Sequence, residues 1–169
     1  AAAIDDVFLG DANGAGEDNR DIARMAVLLA GLPTTVTGVT VNRLCGSSLE
    51  AAIQATRAIR CGEATLTIAG GVESMTRSPW VTPKPDSAFP RTNQTLYSTA
   101  LGWRMVNPRM PEQWTVTLGE GAEILAQRYG ITREEQDAFA LRSHRNAAAA
   151  WEVCRFSTQI TPVLDPAGG

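Results

Sequence analysis

Val39-Thr-Val-Asn-Arg-Leu-Cys-Gly-Ser-Ser-Leu-Glu-Ala-Ala-Ile53 reads as a short apolar strand that breaks into a helix with a thiol at the junction. The first turn of a helix offers unpaired backbone N–H groups and the positive end of the macrodipole, which favour a thiolate over a thiol. That contribution is roughly 0.3–1 kcal/mol, less than one pKa unit, so a fully activated Cys45 also needs a base. A free cysteine is also a small hydrophobe, and its other reading is a core position. The surroundings favour chemistry. Gly46, Ser47 and Ser48 crowd small groups around the sulfur. After them Leu49, Ala52, Ile53, Thr56 and Ile59 recur at helical spacing, with Gly62 at the expected stop.

Working outward, Thr65-Leu-Thr-Ile-Ala-Gly-Gly71 alternates like a strand, and its paired glycines let another backbone approach closely. Upstream, Val7-Phe-Leu9 reads as a strand. Asp18 or Asn19 is expected to cap a helix carrying Ile22, Met25, Ala26 and Leu29, which Gly31 and Pro33 end. Val36, Val39 and Val41 mark the strand that delivers Cys45. This βαβαβ order predicts an α/β layered sheet with parallel neighbours. From Ser78 to Met110, prolines at 79, 83, 85, 90 and 108 and few periodic apolar positions predict a long loop excursion. Thr132-Arg-Glu-Glu135 is a capping box opening a helix that runs to about Glu152.

Asn42-Arg-Leu-Cys-Gly-Ser-Ser48 followed by Ala69-Gly-Gly-Val-Glu-Ser-Met-Thr-Arg-Ser-Pro79 resembles the thiolase family of acyl-CoA acyltransferases. Ala15-Gly-Glu-Asp-Asn-Arg-Asp-Ile-Ala-Arg24 and Gln136-Asp-Ala-Phe-Ala-Leu-Arg-Ser-His144 fit the same pattern. Leu101-Gly-Trp-Arg-Met-Val-Asn-Pro-Arg-Met110 resembles the branch that acts on 3-oxoadipyl-CoA in bacterial aromatic catabolism. The resemblance implies half of a five-layer α-β-α-β-α sandwich, incomplete here, with residues 1–117 as the N-terminal core half and 118–169 as the start of a loop and lid region. It also implies that Cys45 attacks the ketone carbon of a 3-oxoacyl-CoA and carries the acyl group as a thioester, with its backbone N–H as an oxyanion donor.

Leu118-Gly-Glu-Gly-Ala-Glu123 resembles the family's Met-Gly-x-Thr-Ala-Glu at a helix start, which implies that Leu118 borders the pantetheine of CoA. Gly121 stands in place of threonine and weakens that helix by up to about 1 kcal/mol. Ser48 stands where the family has glycine, adding a side chain at a close backbone contact. The family's Gly-His-Pro and Cys-x-Gly motifs are missing. The single histidine, His144, belongs to the polar face of a helix whose apolar positions are Ala138, Leu141, Ala148 and Trp151, so it is expected to be solvated. The chain therefore reads as an internal piece lacking the first strand region and the C-terminal half, inactive on its own.

A formal charge of −3 with scattered basic residues leaves no footprint for nucleic acid. No apolar run approaches the roughly 20 residues that span a bilayer. Cys45, Cys61 and Cys154 have no metal-ligand spacing and form an odd set, so reduced thiols, no metal and a cytoplasmic location are expected. CoA enters as a substrate, and no further cofactor is expected. The resemblance implies a homodimer or homotetramer. Trp80, Trp103 and Trp114 are expected either to anchor subunit contacts or to plug the loop onto its own domain. Two other functions stay open: a general acetyl-CoA acetyltransferase or carrier-protein condensing enzyme, and a non-catalytic piece serving folding or subunit contacts.

Overall fold

The computed structural model describes residues 2–18 and 20–163. Its contacts separate into two compact units, one through Pro108 and one from Arg109. In the first unit β1 (Asp6–Gly10), α1 (Ile22–Leu29), β2 (Thr37–Val41), α2 (Ser47–Arg60) and β3 (Thr67–Gly71) follow one another. The three strands are parallel in the order β2-β1-β3, with Phe8 opposite Val39 on one side and Ala69 on the other. The first crossover moves outward from β1 to β2, and the second returns past β1 to β3. Keeping one hand through that reversal puts the two helices on opposite faces of the sheet.

Side-chain alternation along β1 gives each face its core. Val7 packs with Ala23 and Val27 of α1 and with Val36, all of them at most 4% exposed. The next residue, Phe8, points the other way, against Ala51 and Ala55 of α2. Both helices sit close. A Cβ on Gly38 of β2 would lie 2.7 Å from the Arg24 nitrogen. The α/β reading with parallel strands is therefore met.

The cap of α1 is corrected, and both helices bury faces other than the ones their largest apolar residues mark. The cap of α1 is Asp21, whose side chain accepts from the Arg24 amide at 3.3 Å and from the Thr40 hydroxyl at 2.7 Å. Asp18 instead accepts from the Ser74 amide at 3.1 Å, and Asn19 lies outside the described residues. Along α1 the buried positions are Ala23 and Val27, while Met25 and Leu29 are exposed. In α2 the buried face is Ser47, Ala51 and Ala55, leaving Leu49, Ile53 and Ile59 exposed. Close approach favours small side chains at Ala23, Ala51 and Ala55, with Val27 filling the wider space on the α1 side.

The proline-rich excursion carries a short antiparallel ladder, β4 (Trp80–Val81) with β5 (Tyr97–Ser98). Thr99 anchors it. Its hydroxyl donates to the Pro79 carbonyl at 2.7 Å and accepts from the Asn13 side chain at 3.1 Å, while Arg104 donates to Asn13 at 2.8 Å. Trp80, Trp103 and Trp114 are all more than half exposed, so none is a buried plug. In the second unit, after a 3-10 turn at Glu112–Trp114, α3 (Leu118–Tyr129) starts at the Thr117 cap and stops at Gly130 in left-handed conformation. The capping box of α4 (Arg133–Glu152) forms as read, with Thr132 and Glu135 bonding reciprocally. Neither helix has a buried residue. No described helix is long and apolar enough to cross a membrane.

Asp5 ties the start of β1 to the approach of β3. Its carboxylate accepts from the Thr65 and Leu66 amides at 2.7 and 3.1 Å, and these bonds hold its pKa below the ordinary carboxylate value. A carboxyl with a depressed folded pKa adds stability that is present above its unfolded pKa and lost as pH falls through the folded value. The stability gap between wild type and Asp5→Asn, measured by urea unfolding at a series of pH values, is expected to close below about pH 3.8. A gap independent of pH would remove the charge from the account.

Candidate active site

Between β2 and α2 the chain makes a sharp elbow that presents Cys45. Leu44 takes a left-handed backbone with φ of 50°, a conformation unfavourable for a residue with a Cβ. Hydrogen bonds hold it there. Asn42 accepts from the Leu44 amide at 2.9 Å while donating to the Ala12 carbonyl at 2.9 Å. From the helix side, the Ser47 hydroxyl donates to the Leu44 carbonyl at 2.6 Å and accepts from the Arg43 amide at 2.9 Å. Across the elbow, Arg43 pairs with Glu50 at 3.1 Å.

Cys45 stands two residues before the first helical residue, with Gly46 as the cap, and its side chain is exposed. The amides of Gly46 and Ser47 are committed to the Arg43 and Leu44 carbonyls. The thiol borders a cleft of about 310 Å³ whose walls include Gly10, Leu44, Ser48, Gly71 and Glu73. Two glycines let the head of α2 come this close to the strand ends. A Cβ on Gly10 would lie 2.4 Å from the backbone of Ser47 and Ser48, and one on Gly71 would lie 2.0 Å from the Ser48 hydroxyl. The paired glycines ending β3 thus do what their sequence implied, and Ser48 fills the space that Gly71 leaves.

Asp11 lies in the same wall, 4% exposed. Burial holds its pKa above the ordinary carboxylate value; the Asn13 amide opposes that shift, while the Asp18 and Glu73 charges reinforce it. A raised folded pKa means stability that is full below the unfolded pKa and lost as pH rises through the folded value. Ionised Asp11 therefore opposes folding near neutrality.

The sequence-derived site residues fall in separate units. Leu118 opens α3 in the second unit, 84% exposed, and His144 is exposed on α4. Cys61 caps the far end of α2, about 20 Å along the helix from Cys45. Sequence reasoning missed the roles of Asn42, Ser47 and Gly10 in shaping the elbow, and missed Asp11 altogether. A glycine closing the first strand was the available signal for Gly10; the others depend on contacts between distant segments.

Comparison with known proteins shows the family and the fold. The family model "Thiolase, N-terminal domain" matches residues 1–167. The β-ketoadipyl-CoA thiolase of Pseudomonas aeruginosa is 55% identical over 163 residues, covering 96% of this chain and 40% of that protein. Acetyl-CoA acetyltransferase of Bacillus anthracis superposes with a TM-score of 0.82 at 37% identity, over 97% of this chain and 40% of its own. Acat5 thiolase from Ascaris suum in complex with coenzyme A gives 0.79 at 29% identity, over 96% and 41%. This chain spans about 40% of the length of these relatives and belongs to the thiolase family, in the region of its N-terminal domain.

Proposed function

We propose that the protein containing this chain is a degradative thiolase that cleaves 3-oxoadipyl-CoA with CoA, using Cys45 as nucleophile. The observation that carries the reading is an exposed thiol held on a strained turn at the head of α2, facing a cleft. Support for the acyl group comes from the 55% identity to a β-ketoadipyl-CoA thiolase, against 37% to an acetyl-CoA acetyltransferase.

In this reaction the Cys45 sulfur bonds to the C3 carbonyl carbon of the substrate and the C2–C3 bond breaks. Its electron pair leaves on acetyl-CoA as an enolate, which takes up a proton. Free CoA then attacks the thioester carbon, releasing the shortened acyl-CoA and the Cys45 thiolate. The Cys45 amide is the assigned oxyanion donor, because those of Gly46 and Ser47 are occupied. Leu118 is assigned to the pantetheine wall. CoA is a substrate, and no other cofactor is called for. The base and a second thiol are expected from the rest of the protein, because the family's Gly-His-Pro and Cys-x-Gly motifs are not in these 169 residues. We assign the activity to a cytoplasmic homodimer or homotetramer.

The test is steady-state thiolysis by the full-length protein with 3-oxoadipyl-CoA, acetoacetyl-CoA and longer 3-oxoacyl-CoA substrates. A preference of at least about tenfold in kcat/KM for 3-oxoadipyl-CoA is expected. Preference for acetoacetyl-CoA would identify a general acetyltransferase instead. The 169-residue chain alone is expected to be inactive, since loss of a general base typically forfeits about 10²–10⁴-fold; turnover by it would overturn the assignment of the base elsewhere.

A further inference from the structure

Asp11 and Asp18 lie on the connection between β1 and α1 and Glu73 follows β3, yet each brings a carboxylate oxygen within 4.8 Å of the other two. Asp11 and Asp18 are 4% and 5% exposed. The backbone satisfies only part of this group. Asp11 Oδ1 accepts from the Asn13 amide, Asp18 Oδ2 from that of Ser74, and Glu73 Oε2 from that of Ala12. Among the described residues, Asp11 Oδ2 is buried with no hydrogen-bond partner. Arg77 is engaged with Glu17 and Arg104 with Asn13. A buried carboxylate oxygen without a donor, facing two further carboxylates, is costly unless a proton or a cation enters the group.

We propose that Asp11, Asp18 and Glu73 bind a hard divalent cation, of which Ca²⁺ fits best. The donors are all oxygen, the preference of such ions. Three oxygens spread evenly around an ion are about 4.2 Å apart at a Ca–O distance of about 2.4 Å and about 3.6 Å apart at a Mg–O distance of about 2.1 Å, so closing this group on Ca²⁺ asks for the smaller contraction. The ion joins the connection between β1 and α1 to the segment following β3. Ala12 links it to the elbow, bonding Glu73 through its amide and Asn42 through its carbonyl.

Calorimetric titration of chelator-treated full-length protein with CaCl₂, with MgCl₂ and KCl in parallel, tests the site without substrate. Saturable binding of one Ca²⁺ is expected, accompanied by a rise in Tm, with weaker Mg²⁺ binding and no K⁺ response beyond ionic strength. Asp11→Asn and Glu73→Gln should each weaken Ca²⁺ binding about tenfold or more, because ligand charge tunes such affinities. In chelator, Asp11→Asn should melt no lower than wild type, showing that its lost binding is not lost folding. No saturable response to millimolar Ca²⁺, with Asp11→Asn simply more stable in every buffer, would mean that the carboxyls share a proton and would overturn the proposal. Tighter Mg²⁺ than Ca²⁺ binding would overturn the choice of ion.

Discussion

Cys45→Ala in the full-length protein is expected to lower kcat for thiolysis by at least about 10⁴-fold, since removing the nucleophile of a covalent mechanism abolishes both half-reactions. Stability is the control. Cys45 is exposed and belongs to neither buried cluster, so urea unfolding should shift by no more than about 0.5 kcal/mol. Product formation followed by mass spectrometry gives the readout, and wild-type protein quenched after mixing with substrate should carry an acyl adduct on the Cys45 peptide. Unchanged turnover in the alanine variant would remove this thiol from the chemistry. Loss of turnover together with unfolding would show that the elbow needs the sulfur for structure.

Gly10→Ala is expected to be the most disruptive single methyl addition near the site. Its Cβ would meet the Ser47 carbonyl carbon and the Ser48 nitrogen at 2.4 Å and the Ser47 Cβ at 2.8 Å. Two of these are backbone atoms, so no rotamer change relieves the clash. The head of α2 must move off β1, taking with it the Ser47 hydroxyl that pins Leu44. Overpacking a close contact costs about 1–3 kcal/mol and occasionally more; a loss near 3 kcal/mol is expected in urea unfolding, with activity falling further than stability explains. Gly121→Ala provides the opposite sign. In α3 its nearest neighbour would be a Val116 methyl at 3.9 Å, so alanine should stabilise by about 0.5–1 kcal/mol. Equal midpoints for Gly10→Ala and wild type would contradict the close seat of α2.

Local features were legible before the structure. The Thr132 capping box, the stop at Gly62 and the strand–helix alternation are written in residues a few positions apart, where caps, turns and periodicity act directly. So was the placement of Cys45 at a strand-to-helix junction. Bulk does not mark burial in α2. Leu49 and Ile53 outrank Ala51 and Ala55 in hydrophobicity, yet the alanines are inside, because the helix lies too close to Phe8 and Gly10 for a larger side chain.

By itself, then, the sequence determined the parallel α/β order, the family and the position of the thiol, since these depend on short-range pattern and on motifs read along the chain. Tertiary structure alone decided which helix faces are covered, how Leu44 is held in a left-handed turn by Asn42 and Ser47, and that Asp11, Asp18 and Glu73 converge. The physical reason is separation. Glu73 lies 61 residues from the Ala12 amide that it accepts from, and no local propensity encodes a contact that exists only once three strands have paired.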